Sequence, residues 1–113
     1  MTIESNGILI ATTEGIPGAE IELVGPVIAA CCLSKSVIGD FLANTKNWSI
    51  GGELKGYGQL LESSARRVHE EIAVRAREMN ADSVVGFRFV TSSVSTGAAE
   101  LIGYGTAARI RAR

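Results

Sequence analysis

The segment from about Gln59 to Asn80 constrains the fold most strongly. Apolar residues recur in it at spacings of three and four, which is typical of an α-helix with one apolar side. That stripe consists of Leu61, Ala65, Val68, Ile72, Ala76 and Met79. Glutamates and arginines four residues apart support the polar side, and Asn80 suits the end of the helix. A helix of this kind needs another layer of structure to cover its apolar side.

Two apolar stretches precede this helix and two follow it. They predict strands at Ile8 to Thr12, Ile21 to Leu33, Ser83 to Thr91 and Glu100 to Arg111. The second strand contains Gly25 and Pro26, and since proline cannot donate to a ladder, we expect this point to lie at a sheet edge or a bulge. Gly103 and Gly105 share one face of the last strand, where we expect close packing by the helix or a neighbouring chain.

The region between the second strand and the long helix contains two further predicted elements. Ser34 to Lys46 has the apolar spacing of a short helix, and Asn47 to Gly58 is predicted to be a glycine-rich loop. The predicted order is therefore ββααββ. The simplest solution is a two-layer α+β fold in which a small antiparallel sheet packs on the long helix. A chain of 113 residues predicts a single domain, residues 1–113.

Charge and hydropathy exclude several classes of function. The net charge is −1, so the chain lacks the positive excess that nucleic acid or an anionic membrane surface would attract. The most apolar uncharged window, Leu23 to Leu33, is far shorter than the ~20 residues that span a bilayer. The first five residues do not resemble a secretory leader, and two adjacent cysteines do not form a disulfide framework. We therefore expect a cytoplasmic protein.

Four residues are candidate metal ligands. Cys31 and Cys32 carry thiolates, which bind soft metal ions such as zinc or copper(I). Neighbours on a strand point to opposite faces, however, so the alternative is that both are small apolar residues of the sheet. His69 is the only histidine, and Glu62, seven residues earlier, points in nearly the same direction from the helix. These two could share a site, or His69 could simply be packed at the boundary of the core.

The glycine-rich segment before the long helix is a candidate ligand site. Gly51 and Gly52 could hold an anion on backbone N–H groups, while Trp48 and Tyr57 could stack on a flat ligand. The alternatives are a tightly turned loop and aromatic residues that fill a subunit boundary. No serine lies in a nucleophile-elbow context, and a single histidine offers no evident catalytic triad, so we expect no catalysis.

The chain has a glycine pair, Gly51-Gly52, followed by Tyr57, by a long helix and by the sequence from Ala81 to Gly86. This pattern resembles that of the YbjQ-like family. These are small bacterial and archaeal proteins that are labelled heavy-metal-binding and whose function is uncharacterised. The resemblance covers roughly residues 8 to 110. It implies a dodecin-like α+β architecture that assembles as a ring, typically a homopentamer.

Three charged positions of the family pattern are changed in this chain. Glu53 stands where many members have arginine, Gly58 where many have glutamate, and Ser64-Ala65 where an Ala-Arg pair is common. A polar site built on those positions would be altered or absent here. The leading hypothesis is a non-enzymatic homo-oligomer that binds a soft metal ion or a small ligand. The alternatives are a ring that presents a surface to another protein, and an enzyme whose active site lies between subunits.

Overall fold

The computed structural model describes residues 2–34, 50–95 and 98–112, which form five strands and one helix. The elements are β1 (Thr2–Ser5), β2 (Ile8–Ala11), β3 (Glu20–Ser34), α1 (Ile50–Glu78), β4 (Ser83–Ser95) and β5 (Ala98–Ala112). The strands form a single sheet in the order β1-β2-β4-β5-β3. The α+β class and the two layers are as predicted. No helix in the described ranges is long and apolar enough to cross a membrane.

The sheet is mixed, so the prediction of an antiparallel sheet is wrong at one pairing. β2 runs parallel to β4, while the other three pairings are antiparallel. β3 and α1 lie between β2 and β4 in the sequence, and this long connection lets the chain return in the same direction. β1 was not predicted. It forms a hairpin with β2 through Asn6 and Gly7, whose φ angles of 50° and 79° are those of a tight turn between strands.

The order within the described residues is therefore three strands, one helix and two strands, and not ββααββ. Beyond Ser34, which ends β3, the short helix predicted for Ser34 to Lys46 lies outside the described residues. The loop predicted for Asn47 to Gly58 is wrong from Ile50 onward, where the chain is already helical. Glycine lowers helix propensity, but turns added to an existing helix require no new nucleation, and this permits a helical start at Ile50.

The C-terminal end of α1 is as predicted. Asn80 adopts a φ angle of 61°, which is left-handed. The Ala81 N–H donates to the Ala76 carbonyl at 3.0 Å, and the Asn80 N–H donates to the Arg77 carbonyl at 2.9 Å. This pair of hydrogen bonds is the Schellman motif, which satisfies carbonyl groups that the end of a helix leaves free.

The core lies between α1 and one face of the sheet. Val68, Ile72 and Ala76 of the predicted stripe are buried, but Leu61 is 38% exposed, and the neighbouring Leu60 and Ser64 are buried instead. The buried hydroxyl of Ser64 is satisfied by the carbonyl of Leu60 at 2.8 Å. One residue is a rotation of about 100° around a helix, so a small error in the predicted stripe exchanges a buried residue for an exposed one.

β3 is an edge strand, as its proline predicts. It pairs only with β5 in the described sheet, and its register shifts between Leu23 and Gly25, next to Pro26. Arg75 of α1 reaches this edge and donates from Nη1 to the Ile28 carbonyl at 2.6 Å. That carbonyl therefore points away from β5. Pro26, two residues earlier in the same register, lies where its missing N–H breaks no ladder hydrogen bond.

Candidate functional site

An open cleft lies where β2 and β4 separate. The two strands pair at two positions, Leu9 with Ser83 and Ile10 with Val84. β4 then bulges at Gly86, whose φ is 62° and whose N–H donates to the Thr13 carbonyl at 2.7 Å. The space beside this bulge has a volume of about 560 Å³. We call it the aromatic cleft, and its lining residues are Ile3, Ile10, Thr12, His69, Phe87, Arg88 and Phe89.

Three rings pack against one another along one side of this cleft. The ring centroid of His69 lies 5.2 Å from that of Phe87 and 5.1 Å from that of Phe89, and the two phenylalanine rings are 5.0 Å apart at 83°. These distances, and the edge-on arrangement of the two phenylalanines, are favourable for aromatic pairs. Phe87 is buried, whereas Phe89 is 39% exposed. The cluster therefore joins the core at Phe87 and presents an apolar ring to the cleft at Phe89.

His69 lies at the boundary between the core and solvent, where α1 faces β1 and β4. Partial burial lowers the pKa of His69 below its usual value of 6.5, because removal from water disfavours the charged imidazolium. The neutral form of the side chain therefore predominates at pH 7. A neutral imidazole suits the apolar faces of Phe87 and Phe89 and adds no positive charge to the cleft.

Arg88 supplies the positive charge of the aromatic cleft. Its Nη1 donates to the Thr12 carbonyl and, at 2.9 Å, to the Phe87 carbonyl. Thr12 and Phe87 also line the cleft, so these bonds hold the guanidinium at the side where β2 leaves β4. The ion pairs within the described ranges are Arg75 with Glu71 and Arg111 with Glu22, and neither involves Arg88.

A second groove, of about 600 Å³, lies on the other side of Ile3 and His69. Both Glu62 and His69 line it, so the structure places these two predicted residues in one groove. Its other lining residues are Ile3, Glu4, Ser5, Asn6, Ala65, Arg66 and Glu70. Its three carboxylates make it predominantly acidic.

The two cysteines lie apart from both grooves. Cys31 is partly buried and packs against the core, whereas Cys32 is exposed, as expected for neighbours on a strand. Cys32 Sγ lies 3.8 Å from Glu100 Oε1 across the β3–β5 pairing. In the portion of the chain that the structure describes, no group of three or more histidine, cysteine, aspartate or glutamate residues is placed to hold a metal ion.

The glycine-rich candidates are placed only in part. Gly51, Gly52 and Tyr57 belong to the first turns of α1, and Trp48 lies outside the described residues. Phe87, Arg88 and Phe89 were not predicted as site residues. The available signal was the alternation of Phe87 and Phe89 on one strand face, but the cleft also depends on β1, which has no clear strand pattern in the sequence.

Comparisons with known proteins agree on one family. A family model of the YbjQ type, described as "Putative heavy-metal-binding", matches residues 8–111. A UPF0145 protein of Archaeoglobus fulgidus is 40% identical over 105 residues, covering 92% of this chain and 96% of the relative. A UPF0145 protein of Hahella chejuensis is 46% identical over 100 residues, covering 88% and 95%.

The solved structures include one with a similar fold. It is a protein with unknown function of the DUF74 family from Pediococcus pentosaceus, and its TM-score is 0.66. The match covers 94% of this chain and all of the other at 18% sequence identity. At that identity the likeness concerns the fold alone.

Proposed function

We propose that this chain, which belongs to the YbjQ-like family, is a homo-oligomeric protein that binds a small organic ligand in the aromatic cleft without transforming it. The observation that carries this proposal is the cluster of His69, Phe87 and Phe89, which presents a partly exposed ring to an open cleft. Ligand sites commonly have volumes of ~300–1,000 Å³, apolar walls and a few polar groups, and the cleft has this character. We further propose that the protein is cytoplasmic.

The binding function is tested with a neutral aromatic probe. Titration calorimetry of 2-naphthamide against the full chain should detect binding, and Phe89→Ala should weaken it at least tenfold. Val74→Ala is the matched control, because Val74 has a similar exposure of 43%, lies on α1 and does not line the cleft. Equal affinities for Phe89→Ala and Val74→Ala would exclude the cleft as the binding site.

The homo-oligomer is proposed from the face of the sheet that points away from α1. Ile28 lies opposite Tyr104, and Val90 lies opposite Ile102, so these four side chains form an apolar strip across three strands. Tyr104 is 45% exposed and Ile28 is 58% exposed. Contiguous exposed apolar residues are typical of an interaction surface. We propose that copies of the chain cover the strip with one another and form the ring, a pentamer, that the family resemblance implies.

Assembly is tested by size-exclusion chromatography with mass detection. The unmodified chain should have about five times the chain mass of 11.9 kDa. Tyr104→Glu should reduce that mass, because it places a charge within the apolar strip. Leu61→Glu is the control, since Leu61 is exposed on α1 and lies outside the strip. A monomer at micromolar concentration would contradict the ring and would favour a strip that serves another protein.

A soft metal ion is the second candidate ligand, favoured by the thiol of Cys32 beside the carboxylate of Glu100. Two donors do not complete the four-coordinate site typical of zinc, so the described residues of one chain do not fit a complete metal site. A second copy would have to supply the other ligands. Metal analysis of untagged protein should show zinc, copper or nickel that Cys32→Ser removes and Cys31→Ser retains. Metal-free protein, or equal loss in both variants, would reject this candidate.

A further inference from the structure

We infer that the ligand of the aromatic cleft is a planar organic anion, whose ring packs on Phe89 and whose acidic group pairs with Arg88. This inference rests on the proposed binding function and adds the chemical class of the ligand. It follows from the charges around the cleft and from the surfaces that remain exposed within it.

The positive charge of Arg88 is fixed in place at the cleft. Two hydrogen bonds to carbonyl groups orient the guanidinium, and they use one of its three nitrogens, Nη1. A guanidinium has five N–H donors in a planar fork that matches a carboxylate or a sulfonate. Neither of the ion pairs found among the described residues compensates this charge. An anionic group is therefore the complementary partner at this end of the cleft.

The second groove, which shares Ile3 and His69 with the cleft, favours the same orientation. Its three glutamates, Glu4, Glu62 and Glu70, outnumber its one arginine, Arg66. His69 itself is predominantly neutral at pH 7, because burial lowers its pKa. An anion would be repelled on the side of the glutamates and attracted on the side of Arg88, so the acidic group should point toward Arg88.

The apolar walls indicate a flat ligand body. Ile3 and Phe89 both line the cleft and are 44% and 39% exposed, so each offers apolar surface that a ligand could cover. Aromatic rings pack favourably on a phenylalanine face or edge, and the adjacent rings of His69 and Phe87 extend that surface. A ligand with a single aromatic ring or two fused rings, and with one acidic substituent, matches these walls and the one cationic lining residue, Arg88.

The experiment compares two probes of the same shape, 2-naphthoate and 2-naphthamide, by titration calorimetry with the full chain. The naphthoate should bind at least tenfold more tightly. Arg88→Gln should remove most of that preference, because it weakens the binding of the naphthoate much more than that of the naphthamide. Arg109→Gln, which removes an exposed arginine of β5 outside the cleft, should keep the preference.

A second variant, which retains the positive charge, keeps the test valid if Arg88→Gln does not fold. If Arg88→Gln has a cooperative thermal transition like that of the unmodified chain, its affinities can be compared directly with those of the unmodified chain. If it does not, Arg88→Lys is used, and raising the salt concentration should weaken naphthoate binding in that variant and in the unmodified chain. Equal affinity for the two probes, or a preference insensitive to both residue 88 and salt, would overturn the inference that the ligand is an anion. The proposal that the cleft binds a ligand would still stand. Binding of neither probe would overturn both.

Discussion

Val68 Cγ1 lies over the bare Cα of Gly103, so closely that a β-carbon added at Gly103 would come within 2.5 Å of it. The same β-carbon would lie 2.7 Å from Phe87 Cζ. α1 therefore rests on β5 at a point where the sheet has no side chain. Because Phe87 also touches His69 in the ring cluster, this close approach positions one wall of the aromatic cleft.

Gly103→Ala should lower the free energy of unfolding by about 1–3 kcal/mol, the usual cost of adding a methyl group to a packed core. Urea denaturation followed by circular dichroism would measure the change. Val68→Ala in the same chain should recover part of the loss, since it removes the atom that the new β-carbon meets. Independent, additive effects of the two substitutions would show that residues 68 and 103 are not in contact.

Gly58→Ala should stabilise the protein by about 0.5–1 kcal/mol, because alanine loses less conformational freedom than glycine in a helix. Gly58 lies within α1, and a β-carbon there meets no atom within 4 Å. Gly15→Ala is the control, since Gly15 has equally open space but lies outside any helix or strand. Thermal denaturation of both variants would compare them. A gain at Gly58 no larger than that at Gly15 would contradict a helix at this position.

Asn80→Gly should raise the free energy of unfolding, by up to about 1 kcal/mol, and Asn80→Val should lower it by about 1–2 kcal/mol. The reason is the left-handed φ of Asn80, which glycine adopts without strain and a β-branched residue does not. Chemical denaturation of the two variants would give opposite signs. Changes of the same sign would show that the Schellman motif does not determine the effect.

Acidification should destabilise the protein through His69. The pKa of His69 in the folded chain lies below 6.5, its usual value. At a pH between the pKa of the folded chain and 6.5, the unfolded chain therefore binds a proton that the folded chain does not. The stability that neutral His69 contributes is therefore complete above about pH 6.5 and is lost as the pH falls below it, until the folded imidazole is itself protonated. Urea denaturation at pH 7.5 and pH 5.5 should show a smaller loss of stability for His69→Gln than for the unmodified chain.

Other charged groups near His69 remain in both proteins of that comparison. They are Glu4, Glu62, Arg66 and Glu70 in the second groove and Arg88 in the aromatic cleft. Because these groups are present in both chains, the difference between the two pH profiles reports residue 69. Parallel profiles would contradict the lowered pKa.

Local patterns in the sequence were sufficient for the elements that depend on neighbours along the chain. The end of α1 at Asn80, the edge position of Pro26 and the close packing at Gly103 each follow from the conformational properties of one residue, and the structure agrees with them. The parallel pairing of β2 with β4 could not be predicted in this way, because it depends on contacts between residues more than seventy positions apart.

The candidate site was harder to predict for the same reason. His69 was identified because it is the only histidine and lies at the boundary of the helix stripe. Its ring partners Phe87 and Phe89 belong to a strand in the other layer. Arg88 is held at the cleft by the hydrogen bond that it donates to the Thr12 carbonyl. Only the packing of two layers brings these groups together.

The hydrogen bond from Arg75 to the Ile28 carbonyl also bears on aggregation. β3 is an edge strand of fifteen residues within the described sheet, and an uncovered edge of this length is a ready template for uncontrolled addition of further strands. In β3, two successive outward positions are unsuitable for that pairing, because Pro26 has no N–H to offer and the carbonyl of Ile28 is already occupied. A foreign strand would find its hydrogen bonds interrupted in the middle of this edge, so these two positions lower the danger that β3 initiates fibrils.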